Sequence, residues 1–227
     1  MSSWDDDEYY ARDAAMADLV QQTLKDRSIE GSRFYLGTFG DAVDERISSA
    51  MANARALQTT GNSEAALVFA STAIELSVRY LLVRPLVQGA FLSDEWAEIL
   101  GSRIGTGRTD EDRKILSSLL RQWSVDIDSV RISNGEKLWD VVTKRLLPKR
   151  NRVVHAGESA SPAEALLSIE CVELLQHKIV HVIARNLGFT LERTGKWCRI
   201  HGKSDGNNHH QWWSSFQPKS PFDENHV

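Results

Sequence analysis

The chain reads as an all-α protein, and three observations carry that expectation. Apolar residues recur at steps of three and four through most of residues 41–187. No segment before Gly188 sustains the strict alternation of a half-buried strand. Ser, Asn, Gly and Pro fall where helices would start and stop.

From the N-terminus, residues 1–40 are polar and acidic, and the aromatic, Gly-punctuated piece "GSRFYLGTFGD" reads as an N-terminal arm. Asp41 can cap a first helix whose apolar positions run Val43, Ile47, Ala50, Ala54 and Leu57, with Gly61 ending it. Asn62 or Ser63 caps the next. Its stripe is Leu67, Ala70, Ile74, Val78 and Leu81, and it is apolar nearly all round, as a central helix should be. Pro85 and Gly89 mark its end or a kink. Ser93 opens a shorter helix through Trp96, Ile99 and Leu100. Gly101 to Arg108 is a loop that lacks the phosphate-loop pattern. Thr109 and Asp112 form a capping-box-like start to a helix carrying Ile115, Leu116, Leu119 and Trp123. Another is expected from about Glu136, interrupted or kinked at Pro148. The last opens on Ser161, Pro162 and Glu164, places Val172, Leu175, Ile179 and Val182 on one stripe, and ends at Gly188. The organisation is thus an arm (1–40), an antiparallel helical bundle (41–187) and an irregular extension (188–227) in which "FTLERTGKWCRIHG" suggests a small hairpin.

Composition narrows function without naming it. The 227 residues carry a net charge of −4, with 41% hydrophobic and 26% charged residues, ordinary for a globular protein. Nucleic acid would have to be met by a local patch. Two cysteines make no disulfide framework and fit a reducing compartment. The start "MSSWDDDEYY" is acidic where a secretory signal is basic and then apolar. No apolar run is expected to reach the roughly 18 residues of a membrane helix. The expectation is a cytoplasmic protein with no membrane partner.

Several candidate sites have plainer readings. Cys198, His201, His209 and His210 lack a second ligand pair at zinc spacing, and His177 and His181, one turn apart, fit the solvent face of the last helix. No metal and no cofactor is expected. Trp197, Trp212, Trp213 and Phe216, among Lys196, Arg199 and Lys203, suit either base stacking or docking. Glu75, inside the most apolar helix, needs a partner. Arg79 offers an intrahelical pair, and a carboxylate held inside a site is the alternative.

The strongest local anomaly is "LLPKRNRVVHAGES". Lys144, Arg145, Lys149, Arg150 and Arg152 crowd nine positions of an acidic chain, and His155 follows. One kinked helix to Ala156 would put Arg150, Arg152 and His155 in its last turns, where cations complement the dipole by about 0.3–1 kcal/mol each. A fresh helix starting at Pro148 would instead put cations at its positive end, a misfit that a bound phosphate would resolve. Asn151 and His155 share a face in either case.

Arg150, Asn151 and His155, as "RNRVVH", resemble the R-x4–6-H motif of the HEPN domain family, with a polar residue in second place. The apolar helix "ASTAIELSVRYLL" resembles the early HEPN helix, and "LPKRNRVVHAGESASPAEA" with the long helix after it resembles the end of the domain. The resemblance covers about 41–187. It implies an all-α domain of bacterial defence or toxin–antitoxin systems, and metal-independent RNA cleavage at a site formed across a homodimer. It implies that Arg150 holds the phosphate, that His155 is general acid or base, and that Asn151 orients the site. Glu75 would be a supporting residue. Lys149, Arg152, Lys144 and Arg145 would contact RNA, and an antitoxin or companion defence protein would restrain the activity. Where members silenced by a nucleotidyltransferase carry a modified Tyr two residues after the His, this chain has Gly157. A non-catalytic HEPN-like module, binding RNA, nucleotide or a partner, is the alternative.

Overall fold

The computed structural model describes residues 3–85, 110–121, 123–191 and 197–199. Five helices account for most of them: α1 (Ser3–Thr59), α2 (Ser63–Val83), α3 (Asp110–Arg121), α4 (138–156) and α5 (162–186). An antiparallel hairpin, β1 (Phe189–Leu191) with β2 (Trp197–Arg199), follows α5 with Thr190 opposite Cys198. The protein is all-α apart from this hairpin. The expected helix at Ser93, the loop 101–108, the Thr109–Asp112 cap, and the side chains of Cys198, His201, His209 and His210 lie outside the described residues.

α2 is the hub and packs against α1, α4 and α5. Leu67, Ala70, Ile74, Val78 and Leu81 are buried as their spacing predicts, and Ala66, Ser71, Ala73 and Leu82 are buried too. Asn62 caps its start, accepting from the Ala65 N–H. By length and composition alone α2 is apolar enough to cross a membrane, and most of that stretch is buried inside the bundle. The expectation that no run reaches that length is therefore corrected, and central packing accounts for its character.

The arm expected over 1–40 is corrected as well. From about residue 29 the segment is core. Helix α1 passes through Asp41 without a break, and Tyr35 and Leu36 are buried on the face that continues to Val43 and Ile47. Gly31, Gly37 and Gly40 each weaken a helix by roughly 1 kcal/mol relative to Ala, and burial of that face outweighs them. The segment also completes other helices. Ser32 Oγ donates to the Pro85 carbonyl at 3.0 Å, and Arg33 Nε donates to the Leu187 carbonyl at 3.0 Å. Leu187 lies at the C-terminal end of α5, where carbonyls lack intrahelical partners.

Three helices carry a π turn: Ser77–Val83 in α2, Val142–Leu146 in α4 and Gln176–Val180 in α5. Each inserts one residue and advances the downstream face by about 100°. Along α5 the buried stripe passes from Ile179 to Ile183 and leaves Val182 exposed. The expected place of Val182 on that stripe is corrected: the step after Ile179 is four, not three.

One core carboxylate stands alone. Asp44 on α1 is 7% exposed and has no hydrogen bond or ion pair among the described residues. Burial, then repulsion from Asp41, pushes it up to about 6 from 3.8. A raised acid lets the folded state hold the proton more tightly, so its cost is absent below pH 3.8 and complete above about pH 6.

Two outcomes are expected in urea unfolding. Leu36→Ala should cost about 2–4 kcal/mol, and an unchanged midpoint would return residues 29–40 to the status of an arm. Asp44→Asn should stabilise the fold by about 1–2 kcal/mol at pH 7, allowing for screening by nearby water, with the gain vanishing near pH 4. A gain that persists at pH 4 would show that ionisation is not its source.

Candidate active site

The motif helix is continuous. Leu146 and Leu147 both have right-handed helical geometry, so the fresh start at Pro148 is overturned. The π turn is the physical reason. Pro148 lacks an N–H, and its ring would strike the carbonyl four residues back in a regular helix. With the turn widened, the Leu147 N–H bonds the Val142 carbonyl five residues back, and the proline is accommodated. Lys149, Arg150 and Arg152 are thus not at a helix N-terminus, and the phosphate site expected there is withdrawn. Observed helix begins at Leu138, close to the expected Glu136. It ends at Gly157, whose φ of 65° is the left-handed cap geometry that glycine adopts without strain. His155 lies in the last turn.

The structure brings Glu75, Arg150 and Asn151 together. Arg150 Nη1 donates to Asn151 Oδ1 at 3.0 Å, and Arg150 Nη2 meets Glu75 Oε2 in a long contact of 3.5 Å. The side chains of Arg150 and Glu75 are 25% and 35% exposed. Arg150 Nε is buried without a hydrogen-bond partner. Burial holds the Glu75 carboxyl above its ordinary value, opposed first by Arg150 and then by Arg79. The ion pair of Glu75 therefore reaches across to α4, with Arg79 adding a weaker attraction. Asn151 and His155 are both exposed, one turn apart and about 6 Å along the helix.

The rest of the basic run is engaged with carboxylates. Lys144 pairs with Asp140 at 3.0 Å and Arg145 with Glu136 at 3.0 Å. Lys149, 12% exposed, meets Glu158 at 2.6 Å and Glu164 at 3.3 Å, and Arg152 meets Glu158 at 2.6 Å. Five cations thus face five carboxylates, counting Arg150 with Glu75. The hydrogen bond from Lys149, then that from Arg152, holds Glu158 below the usual carboxylate range, and Lys149 is raised by the same bond. The exposed pairs of Lys144, Arg145 and Arg152 contribute about 0–1 kcal/mol each, so a phosphate can displace them at small cost.

Sequence reasoning missed Glu158 and Glu164 as partners of the run. Glu164 does two things. It closes the capping box of α5, accepting from the Ser161 N–H at 2.8 Å while its own N–H donates to Ser161 Oγ at 3.2 Å. Its other oxygen faces Lys149. The box is legible in "SPAE", but the contact to Lys149 depends on the turn at Gly157 folding α5 back toward α4. The same turn is tied to α2, because the Ala160 N–H donates to Glu64 at 3.1 Å.

No group of three His, Cys, Asp or Glu side chains disposed to hold a metal ion occurs among the described residues. No family model matches this chain, and neither a curated protein nor a solved structure matches it.

Arg150→Ala should cost about 1–2 kcal/mol in stability, because Glu75 is left half-buried without its main partner. Glu75→Gln in that background should recover part of the loss. Additive effects in this double-mutant cycle would show that the 3.5 Å contact carries no coupling.

Proposed function

We propose that this chain is a HEPN-type endoribonuclease acting without a metal ion at a composite site between two copies of itself. The observation that carries the reading is the seating of Arg150 between Glu75 and Asn151, with exposed His155 one turn from Asn151. On a regular helix Arg150 points about 140° away from His155. A second copy would therefore bring its own His155 to the phosphate held by Arg150. Val154, 48% exposed beside His155, gives that face an apolar element for a partner copy to cover.

Each residue then has a task. Arg150 clamps a non-bridging phosphate oxygen, and Glu75 positions Arg150. Asn151 orients the ribose or phosphate. His155 takes the proton of the 2′-hydroxyl as it attacks the adjacent phosphorus, or delivers one to the departing 5′-oxygen. The P–O5′ bond breaks, leaving a 2′,3′-cyclic phosphate and a 5′-hydroxyl. Lys144, Arg145, Lys149 and Arg152 would exchange their carboxylates for flanking phosphates, a sequence-independent contact that weakens with salt. A toxin or defence effector in the cytoplasm, restrained by a companion protein, is the setting that fits.

A second reading is favoured by one specific observation. Every cation of the run already has a carboxylate, which suits a non-catalytic module that presents this helix to a partner.

The deciding experiment is RNA cleavage by the purified protein in excess EDTA beside His155→Ala of matched helicity. Loss of about 10²–10⁴-fold with cyclic-phosphate ends on the wild-type product is expected for the nuclease. Equal cleavage by both proteins would remove His155 from the chemistry, and none by either would favour the module.

A further inference from the structure

Between α1 and α5 lies a cleft of about 200 Å³. It is built from elements other than the helix carrying Arg150 and His155, so its chemistry is independent of any ribonuclease activity. Asp44, Met51, Val172, Gln176, His177 and His181 are among its lining.

Its chemistry turns on one carboxylate. Asp44 is more than nine-tenths buried in the wall and has no hydrogen bond or ion pair among the described residues. Gln176 also lines the cleft, although its Oε1 is buried beneath the surface without a partner. The orientation of that amide is set by its neighbours. Ser77 Oγ donates to the Ala73 carbonyl, so it can only accept from Gln176, and the amide NH2 must face it. The oxygen is left over. The remaining charges cancel, because Arg55 and Glu173, which also line the cleft, pair at 2.7 Å. His177 and His181 stand edge to face at 5.1 Å. Burial, His177 and Arg185 hold His181 below its usual value, which keeps it neutral near pH 7. Met51 and Val172 supply apolar surface.

An isolated buried carboxylate is costly, and the fold gains nothing visible from Asp44. Placed at a cleft with apolar walls, it is the expected anchor for a cation. We infer that the cleft between α1 and α5 binds a small organic cation, an aliphatic amine or guanidine, with Asp44 as its counter-ion. Asp44 accepts the charged N–H groups, and Met51 and Val172 take the aliphatic body. His177 and His181 close the face opposite α1.

Isothermal titration of the full chain with agmatine tests this, with butylurea as a neutral probe of similar shape. Wild type should bind agmatine. Asp44→Asn should weaken it at least about tenfold, and wild type should prefer agmatine to butylurea by at least about tenfold. Met51→Trp, which fills the cleft without touching the charge, should weaken agmatine to a similar degree. Helicity and unfolding midpoints check that each variant is folded, and Asp44→Asn is expected to be the more stable protein. Three results each overturn the proposal: no binding by wild type at millimolar agmatine, equal binding by Asp44→Asn, or undiminished binding by a folded Met51→Trp.

Discussion

The bundle depends on how closely its neighbours can approach α2. That helix buries Ala66, Ala70, Ser71, Ala73 and Ser77, and α1 brings Ala50 and Ala54 to the core. Small side chains shorten the distance between helix axes, which leaves little room for a chain that is neither small nor apolar. Where α2 carries a carboxylate in its middle, at Glu75, the position is only half-buried and an arginine from α4 answers it. The candidate site is therefore a by-product of central packing. A helix surrounded on several sides can present a carboxylate only at its margin, and that margin is where the motif helix lies.

Much of this is legible in the sequence. The α2 stripe, the Asn62 cap, the Ser161–Glu164 box and the Gly157 and Gly188 stops follow from local rules that tertiary structure does not override. The departures have a common cause. Three glycines hide residues 29–40, although Ser32, Tyr35, Leu36, Phe39 and Val43 continue the later stripe at helical steps. A step of three from Ile179 picks out Val182, where packing takes the step of four to Ile183. Proline damages a regular helix, which argues for a break at Pro148, and α4 is not regular there. Propensity and period hold in each case, and packing supplies a term they do not contain.

The candidate site divides in the same way. Asn151 and His155 share a face by spacing alone. Glu75 meeting Arg150 needs the tertiary arrangement, since 75 residues separate them. The partners of the basic run are the least legible, because Glu158 and Glu164 reach Lys149 only after the chain reverses at Gly157. Charge density along a sequence is therefore a poor measure of surface potential. A crowded run of cations in a mildly acidic chain is met here by an equal number of carboxylates, most of them drawn from outside the run's own helix.

The π turn ahead of Pro148 has a consequence for descent. It is a one-residue insertion lodged inside a helix rather than in a loop, and it rotates everything after it by about 100°. A homologue without that extra residue could keep Arg150 opposite Glu75 only by losing the proline's accommodation or by re-entering the helix at another angle. Residues before Val142 and after Leu146 are thus in different phases of the same helix. An alignment that conserves helix length would pair the wrong faces, and one that admits a single gap between Val142 and Leu146 would pair the right ones.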